Sequence, residues 1–317
     1  LAKVDLLLVD KTGTLTEGRP SLVEVVALEG REEPELLRLA ASLERASAHP
    51  LARAVVEGAG QRGVDLDEPA WSDEMPGQGV IGQVGSTRTA VGGERLFGSL
   101  GLDYEPLRER ARALQQQGTT VIAVAIDGSP AGLLAVRDPV KEPTPAALRI
   151  LREEGVEVVM RTGDAEPTAA AVARELGLAD FEAGVSPERK DEVVQRYQRA
   201  GRVVAMAGDG IIDAPALARA DVGIAMGTGT DVAMQSAGIT LVKGDLNGIV
   251  RARRLSRATI RNIRQNLFWA FFYNALGIPL AAGILYPWLG WLLSPMIAAA
   301  AMSLSSVTVI SNALRLR

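Results

Sequence analysis

Fifty consecutive residues without a charged side chain constrain this chain more than any other feature of its sequence. They run from 265 to 314, between Arg264 and Arg315. Two helices of roughly 20 residues each, joined by a turn, would use this length to cross a lipid bilayer and return. The sequence therefore predicts a transmembrane helical hairpin over 265–314, with a buried hairpin in a soluble core as the alternative.

The flanks of this stretch indicate its orientation. The first apolar run extends from Leu267 to Tyr286, a turn follows at 287–290, and the second run extends from Leu292 to Leu314. Positive charge lies outside both ends, at Arg251, Arg253, Arg254, Arg257, Arg261, Arg264, Arg315 and Arg317. Because positive segments stay on the cytoplasmic side, we expect a multi-pass membrane protein with cytoplasmic soluble domains, in the plasma membrane if the source is bacterial.

The first 250 residues are acidic and globular in composition. The chain has 317 residues, is 47% hydrophobic and has a net charge of −4. All 38 Asp and Glu residues precede residue 251, together with 26 of the 34 Lys and Arg residues. This excess of acid disfavours nucleic acid as a partner. The absence of Cys excludes disulfides, thiolate catalysis and Cys-based zinc sites within this chain.

Short apolar runs alternate with helical patterns in the acidic part. The runs are 4–9, 156–160, 202–207 and 239–242, and the helical patterns are 143–154, 167–176, 189–199 and 214–218. Such repetition predicts an α/β fold with a doubly wound parallel sheet. The segment 17–133 breaks the rhythm with helix-like and β-like pieces, so we interpret it as an inserted α+β domain.

A carboxylate follows the first predicted strand directly. The segment 10–16 is Asp-Lys-Thr-Gly-Thr-Leu-Thr, which places Asp10 at the carboxyl edge of the sheet, where open α/β folds bind ligands. The Gly and Thr residues supply backbone N–H groups and hydroxyls suited to a phosphoryl group. A carboxylate held there can act as a nucleophile and form an acyl phosphate, whereas a helix N-cap with a Gly turn is the alternative for a shorter match.

These seven residues resemble the phosphorylation motif of the P-type ATPases, and nearly the whole chain resembles their heavy-metal branch. The resemblance implies a haloacid-dehalogenase-like fold in which Asp10 takes the γ-phosphoryl group of ATP, with Mg²⁺ and ATP as cofactors. It implies a discontinuous phosphorylation domain over 1–16 and 134–250 and a nucleotide-binding domain over 17–133. Related phosphatases carry a general-acid Asp two residues after the nucleophile; Thr12 stands there, so we expect a persistent phosphoenzyme.

Two further segments should contribute catalytic groups at the same sheet edge. Thr162, Gly163 and Asp164 follow a predicted strand, where a hydroxyl and backbone donors can bind phosphate. Lys190 begins a predicted helix and can neutralise phosphate charge. A common turn and a solvated lysine are the alternatives for these segments taken singly.

Two aspartates predict a magnesium site. The segment 208–215 is Gly-Asp-Gly-Ile-Ile-Asp-Ala-Pro, and it contains Asp209 and Asp213. Facing Asp10 across the sheet edge, they would hold Mg²⁺ through oxygen ligands, which neutralises charge in phosphoryl transfer. The resemblance adds Asp10 and Thr12 to the magnesium ligands and favours Asp209 over Asp213.

The predicted nucleotide-binding domain contains the only His of the chain, His49, directly before Pro50. A lone His is more often structural, but this one resembles the His-Pro motif of heavy-metal pumps, in which the His orients the adenine end of ATP. The resemblance assigns Glu44 to the same pocket. Gly77 and Gly79 belong to a Gly-x-Gly-x-x-Gly pattern that is weak as a dinucleotide fingerprint; the resemblance implies that they let the backbone approach the nucleotide.

Uncharged polar residues inside the predicted spans are candidates for holding a transported ion. Tyr273 and Asn274 lie in the first span, while Met302 and Ser306 lie four residues apart in the second, on one helix face. A thioether is a soft ligand that selects Cu(I), and the pattern resembles the copper(I) subgroup; ordinary packing and local hydrogen bonding are the alternative. The resemblance implies Cu⁺ as the transported ion and the lipid bilayer as surroundings, and it admits a copper chaperone as partner.

Four positions depart from the family pattern. Ala48 stands where the family has Glu, and Gly93 and Ala165 each stand where it has Asn. Ile212 replaces the Asn of the Gly-Asp-Gly-x-Asn-Asp motif, and loss of one such donor lowers a rate by on the order of 10²–10³. These departures bear on both ATP binding and phosphorylation.

The resemblance identifies the chain as the C-terminal portion of a copper(I)-exporting P-type ATPase, without the actuator domain and the earlier membrane helices. Its expected cycle binds Mg-ATP on the inserted domain, phosphorylates Asp10 and transmits the change to the hairpin. Two alternatives stay open. One is a nucleotide-binding but catalytically impaired fragment, for which Ile212 is the strongest indication, and the other is a membrane-anchored phosphatase of the same fold, which Thr12 disfavours.

Overall fold

The computed structural model describes residues 1–47, 49–186, 190–227, 229–282, 286–290 and 295–315. Two compact units divide the chain. Val4–Gly248 forms the larger unit, and Leu1–Lys3 together with Ile249–Arg317 forms the smaller one. The larger unit contains the two β-sheets of the described residues.

Regular elements follow one another closely along the described residues. The strands are β1 (Leu6–Asp10), β2 (Ser21–Ala27), β3 (Pro69–Met75), β4 (Gly79–Val84), β5 (Thr87–Gly92), β6 (Thr120–Ile126), β7 (Ser129–Arg137), β8 (Glu157–Arg161), β9 (Asp180–Glu182), β10 (Val204–Gly208), β11 (Val222–Met226) and β12 (Ile239–Leu241). The helices are α1 (Glu33–Glu44), α2 (Pro50–Gln61), α3 (Glu94–Ser99), α4 (Glu105–Gln115), α5 (Thr144–Glu153), α6 (Glu166–Glu175), α7 (Lys190–Arg199), α8 (Ala214–Arg219), α9 (Asp231–Ser236), α10 (Asn247–Ala281), α11 (Tyr286–Leu289) and α12 (Pro295–Leu314).

A six-stranded parallel sheet forms the centre of the site-bearing part, in the order β12-β11-β10-β1-β8-β9. All five residues of β1 are buried, as expected for a central strand covered on both faces. Leu6, Leu8, Val159 and Met206 pack in one apolar cluster with residues of α7 and α8. The predicted α/β class with a parallel sheet is confirmed.

A second, antiparallel sheet has the order β2-β7-β6-β5-β4-β3. One apolar cluster joins it to α1 and α2, through side chains such as Leu36 and Val55. A separate cluster joins it to α3 and α4, through Phe97 and Leu107. The sheet is therefore covered by helices, and its strand β7 continues four residues past position 133.

The smaller unit consists of helices in its described residues. A cycle of amide hydrogen bonds links α10 to α12: Asn262 Nδ2 donates to the Asn312 carbonyl at 2.6 Å, Asn312 Nδ2 donates to Asn266 Oδ1 at 2.8 Å, and Asn266 Nδ2 donates to Asn262 Oδ1 at 3.0 Å. This cycle fixes the register of the two helices. Within the described part of the chain, none of the helices is both long enough and apolar enough to cross a membrane. Leu292, where the second predicted span begins, lies outside the described residues.

Candidate active site

Three neighbouring strands bring the predicted catalytic groups to one edge of the parallel sheet. Asp10 is the last residue of β1, Thr162 follows β8, and Asp209 follows β10. Because β8, β1 and β10 are adjacent and parallel, their carboxyl ends lie side by side, at the usual ligand-binding edge of such sheets.

The segment after Asp10, Lys11–Leu15, is a tight turn with non-helical torsion angles at Thr12 and Gly13. Gly13 has φ +72°, and a Cβ atom there would lie 1.7 Å from Asp209 Oδ2. Only glycine permits this close approach. The side chain of Thr12 is exposed, so it lies at the rim of the site.

Three carboxylates form the centre of the site. One carboxylate oxygen from each of Asp10, Asp209 and Asp213 lies within 4.8 Å of the other two. Burial and repulsion from Asp213 raise the pKa of Asp10 to about 6, although Lys190 acts in the opposite direction. Burial and the same repulsion raise the pKa of Asp209 to about 6. Closely spaced oxygens with excess negative charge suit a hard divalent cation, so these residues fit Mg²⁺.

Lys190 is the cation in direct contact with this trio. Its Nζ donates to Asp10 Oδ1 and to Asp213 Oδ1, each at 2.7 Å, and all three side chains are buried. Burial alone would lower the pKa of Lys190, but the charges of Asp10 and Asp213 outweigh it and raise the pKa. The lysine therefore stays charged and holds two of the carboxylates together.

The predicted phosphate-binding turn at 162–164 is built around Asp164. The Thr162 Oγ1 atom accepts a hydrogen bond from the Asp164 backbone N–H at 3.1 Å. The Asp164 carboxylate forms an ion pair with Lys11 and accepts a hydrogen bond from Thr120 Oγ1 at 3.4 Å. Asp164 thus connects the turn to the loop after Asp10 and to β6. Gly163 lies in this turn with an open environment, since the nearest atom to a Cβ there is 3.8 Å away.

Two loops outside the predicted catalytic segments hold the site together, one containing Lys141 and the other Gly229 and Thr230. Lys141 donates from Nζ to the Gly13 carbonyl and, at 2.8 Å, to the Gly244 carbonyl. A Cβ on Gly229 would lie 2.3 Å from the Asp209 carbonyl oxygen, and the Thr230 N–H donates to that oxygen at 2.9 Å. Both loops therefore fix the backbone around Gly13 and Asp209. The glycines of the second loop, Gly227 and Gly229, are the sequence signal for such a close backbone contact.

The predicted nucleotide-binding residues lie around α1, α2 and β4. Glu44 ends α1 and is 7% exposed; burial and the charge of Glu74 raise its pKa to about 7. His49 is the N-cap of α2, and its Nδ1 accepts from the Leu51 N–H at 3.2 Å. Gly79 opens β4, where a Cβ would lie 2.2 Å from the Val91 carbonyl oxygen. The sequence analysis missed Glu74, because its strand β3 is mostly exposed and lacks an apolar alternation.

Gly77 differs from Gly79 in its surroundings. It has φ +71°, and no atom lies within 4 Å of a Cβ built there. Its requirement for glycine is therefore conformational alone, whereas Gly79 combines a positive φ of +148° with close strand contact.

The departures from the family pattern have visible local consequences. Gly93 and Ala165 are the N-caps of α3 and α6, and neither provides a side-chain cap. Ile212 is 49% exposed, an apolar side chain next to Asp213. Ala48 lies outside the described residues.

The residues predicted to hold a transported ion divide between two helices of the smaller unit. Tyr273 and Asn274 lie in α10, and Ser306 lies in α12. Met302 is also in α12, but its side chain lies outside the described part of the chain. The Tyr273 ring packs beside Trp269 and Phe272, with centroid separations of 6.2 Å to each. The ion site itself stays a prediction.

Comparison with known proteins supplies the family. Residues 4–221 match the model of the haloacid dehalogenase-like hydrolases. The chain is 58% identical, over 316 residues, to a copper-transporting P-type ATPase of Rhizobium leguminosarum bv. viciae, covering 100% of this chain and 38% of that protein. It is 54% identical to a silver exporting P-type ATPase of Salmonella typhimurium, covering 100% of this chain and 38% of that protein.

A solved structure is similar over almost the whole chain. The crystal structure of a zinc-transporting PIB-type ATPase matches 99% of this chain and 50% of that chain, with a TM-score of 0.75 and 35% identity. The chain spans 38% of the length of the two curated relatives named above. Site geometry, family model and relatives agree, and the chain belongs to the haloacid dehalogenase-like hydrolases, within them to the heavy-metal P-type ATPases.

Proposed function

We propose that this chain transfers the γ-phosphoryl group of Mg-ATP to Asp10 and, as part of a whole pump, drives the export of Cu⁺. The observation that carries the proposal is the Lys190 bridge between Asp10 and Asp213, beside Asp209 at the carboxyl edge of the sheet. This arrangement holds a nucleophilic carboxylate, a fixed cation and two potential metal ligands at one point.

The transfer begins with Asp10 as a carboxylate. One Asp10 oxygen forms a bond to the γ-phosphorus while the bond to the β–γ bridging oxygen breaks, and ADP leaves with that oxygen. Asp10, Thr12, Asp209 and Asp213 would hold Mg²⁺, which would supply positive charge against the phosphoryl oxygens. Lys190 adds a second, permanent charge, and Thr162 with Gly163 contributes hydrogen-bond donors.

Thr12 accounts for a persistent acyl phosphate. A threonine hydroxyl is too weak an acid to protonate a leaving group near neutral pH, so the residue cannot serve as the general acid of hydrolysis. The absence of an acid at this position supports the pump over the membrane-anchored phosphatase.

The nucleotide binds to the inserted part in this proposal. Residues 17–133 form the nucleotide-binding domain, and 1–16 with 134–250 form the phosphorylation domain. His49 orients the adenine end of ATP, Glu44 lies in the same pocket, and Gly77 and Gly79 let the backbone approach the nucleotide. The clustering of these residues around α1, α2 and β4 supports the assignment.

The cargo is a soft monovalent ion in this proposal. Tyr273, Asn274, Met302 and Ser306 line its path in a membrane-spanning hairpin over 265–314, and a copper chaperone delivers it. The copper-transporting and silver exporting relatives support this choice over a hard cation.

One observation favours a second function, nucleotide binding without phosphorylation. Ile212 has an apolar side chain that is half-exposed beside Asp213, and an aliphatic group donates no hydrogen bond to a phosphoryl oxygen. ATP would then bind while transfer is slowed by on the order of 10²–10³.

Labelling separates the two functions. The purified chain is incubated with Mg²⁺ and γ-labelled ATP, quenched in acid, and compared with Asp10→Asn and Ile212→Asn. Acid-stable, hydroxylamine-sensitive label that is absent from Asp10→Asn is the expected result. Label that forms only in Ile212→Asn would instead support the nucleotide-binding function, and label retained in Asp10→Asn would refute the proposal.

A further inference from the structure

Arg161 is a buried charge directly beside the catalytic strand end. It is the last residue of β8, it pairs in register with Asp10 of β1, and it is 0% exposed. Its Nη1 contacts the sulfur of Met206 at 3.6 Å. Its Nε and Nη2 atoms have no hydrogen-bond partner among the described residues.

Such a guanidinium is costly to bury. Arginine keeps its proton at any ordinary pH, and a buried charge without a contacting counter-ion is disfavoured by its lost hydration. Met206 offers little compensation, because it belongs to the apolar cluster that also contains Leu8 and Val159. Some other group must offset part of this cost.

The largest compensating charges are those of the active site, although Glu182, the register partner of Arg161 on β9, and Asp191 also contribute. Burial lowers the pKa of Arg161, while Asp10 and then Asp213 act most strongly to raise it. These are the same two carboxylates that Lys190 contacts. Among the described residues, the charges of Lys190, which is in contact, and of Arg161, which is not, both act on Asp10 and Asp213, and Lys141 acts on Asp209.

We propose that Arg161 is a positioning residue for the reaction: acting through Asp10 and Asp213, its fixed charge weakens Mg²⁺ binding and stabilises the charge added when Asp10 is phosphorylated. This inference rests on the proposed phosphorylation of Asp10. Its logic is that one positive charge repels a cation and attracts a phosphoryl group at the same site.

The test therefore measures two affinities that must move in opposite directions. Arg161→Met replaces the guanidinium by a shorter, unbranched apolar side chain and so removes its charge, while Arg161→Lys keeps the charge. Mg²⁺ affinity is measured by competition with Mn²⁺, followed by electron paramagnetic resonance, on the full chain without nucleotide. The affinity for beryllium fluoride, a mimic of the phosphoryl group on a carboxylate, is then measured at saturating Mg²⁺.

For Arg161→Met we expect Mg²⁺ to bind about tenfold more tightly and beryllium fluoride to bind about tenfold more weakly. Arg161→Lys should stay within about threefold of the parent chain in both measurements. Arg152→Met is the control for loss of an arginine charge, because this exposed arginine bonds the carbonyls of Leu148 and Gly177, and it should change neither affinity. Thermal unfolding of Arg161→Met should not begin at a lower temperature, since the variant replaces an unpaired buried charge by an apolar group.

A merely structural role of Arg161 would weaken both affinities together or neither, and either result overturns the inference. A chain that binds Mg²⁺ in neither the parent nor the Arg161→Met form also overturns it. Opposite shifts in a chain that takes no label from ATP would support the inference and refute the proposed phosphorylation, so the two failures can be told apart.

Discussion

Asp10, the last residue of strand β1, and Glu44, the last residue of helix α1, are both buried carboxylates, and the comparison between them shows what a counter-ion does. Both have raised pKa values, about 6 for Asp10 and about 7 for Glu44, with burial as the largest cause in each case. Asp10 has Lys190 at 2.7 Å. The other group that acts clearly on Glu44 is a second acid, Glu74.

The difference assigns distinct chemical states to the two regions. Above pH 6 Asp10 is mainly a carboxylate, which is the form needed for nucleophilic attack and for binding a metal ion. At pH 7 about half of the Glu44 population carries a proton, so this side chain can donate a hydrogen bond to a ligand. The contacting cation thus favours the anionic form of Asp10, whereas Glu44, which lies near a second acid, can serve as a donor.

The test with the largest expected effect removes Lys190, the cation in contact with Asp10. In Lys190→Met, Asp10 loses the group that opposes burial and repulsion, so label from ATP should fall by on the order of 10²–10³. The pKa of Asp10 should rise further, and the half-maximum of the pH profile of any residual labelling should move above 6. The exposed Lys243→Met should label like the parent chain, and a residual profile that does not move would contradict the assigned role of Lys190.

The next test concerns the missing counter-ion of Glu44. Its folded-state pKa of about 7 lies above its ordinary value of 4.5, so ionisation opposes folding. Its contribution to stability is complete below pH 4.5 and is lost as the pH rises through 7. The loss is about 3 kcal/mol of unfolding free energy.

Denaturant unfolding measures this loss. The difference between the parent chain and Glu44→Gln should change across pH 4.5–7, in favour of Glu44→Gln at the higher pH. Glu35→Gln, at an exposed position of the same helix, should follow the parent chain. A constant difference between Glu44→Gln and the parent chain over this range would argue against a protonated Glu44.

The test with the smallest expected effect compares two helix starts, one beside each of the two sheets. Ala165 caps α6 beside the phosphate-binding turn, and Gly93 caps α3 in the nucleotide-binding part, both without a side-chain hydrogen bond. Because Ala is a poor N-cap and Gly a fair one, Ala165→Asn should stabilise the chain by about 1 kcal/mol and Gly93→Asn by only a few tenths. Urea unfolding midpoints of the two variants measure these gains in stability. Equal gains for Ala165→Asn and Gly93→Asn would contradict the expected order. Ala171→Asn, inside α6, should show no gain.

Sequence alone predicted the parallel sheet because its central strands are short, continuous apolar runs. It placed Asp10 and Asp209 at the carboxyl edge because each follows such a run. The strand β11 escaped prediction, since Gly223 interrupts an already short segment. The strand β3 escaped because most of its side chains are exposed.

The contacts between side chains within the site could not be predicted from the sequence. Nothing in the local pattern places Lys190 between Asp10 and Asp213, because that bridge depends on how α7 and α8 pack on the sheet. Arg161 gave no signal either, as a charge at the end of an apolar run ordinarily reaches solvent. The membrane hairpin over 265–314 stays a prediction, since no helix among the described residues is long and apolar enough to cross a bilayer.

The N-cap bond of His49 has a consequence for the tautomer of its ring. Since Nδ1 accepts the Leu51 N–H, a neutral imidazole must carry its proton on Nε2. The exposed side of the ring then presents an N–H group, and α2 fixes the direction in which it points. A purine ring nitrogen is a suitable acceptor, whereas an exocyclic amino group is not. The start of one helix thereby sets which edge of a base this side chain can read.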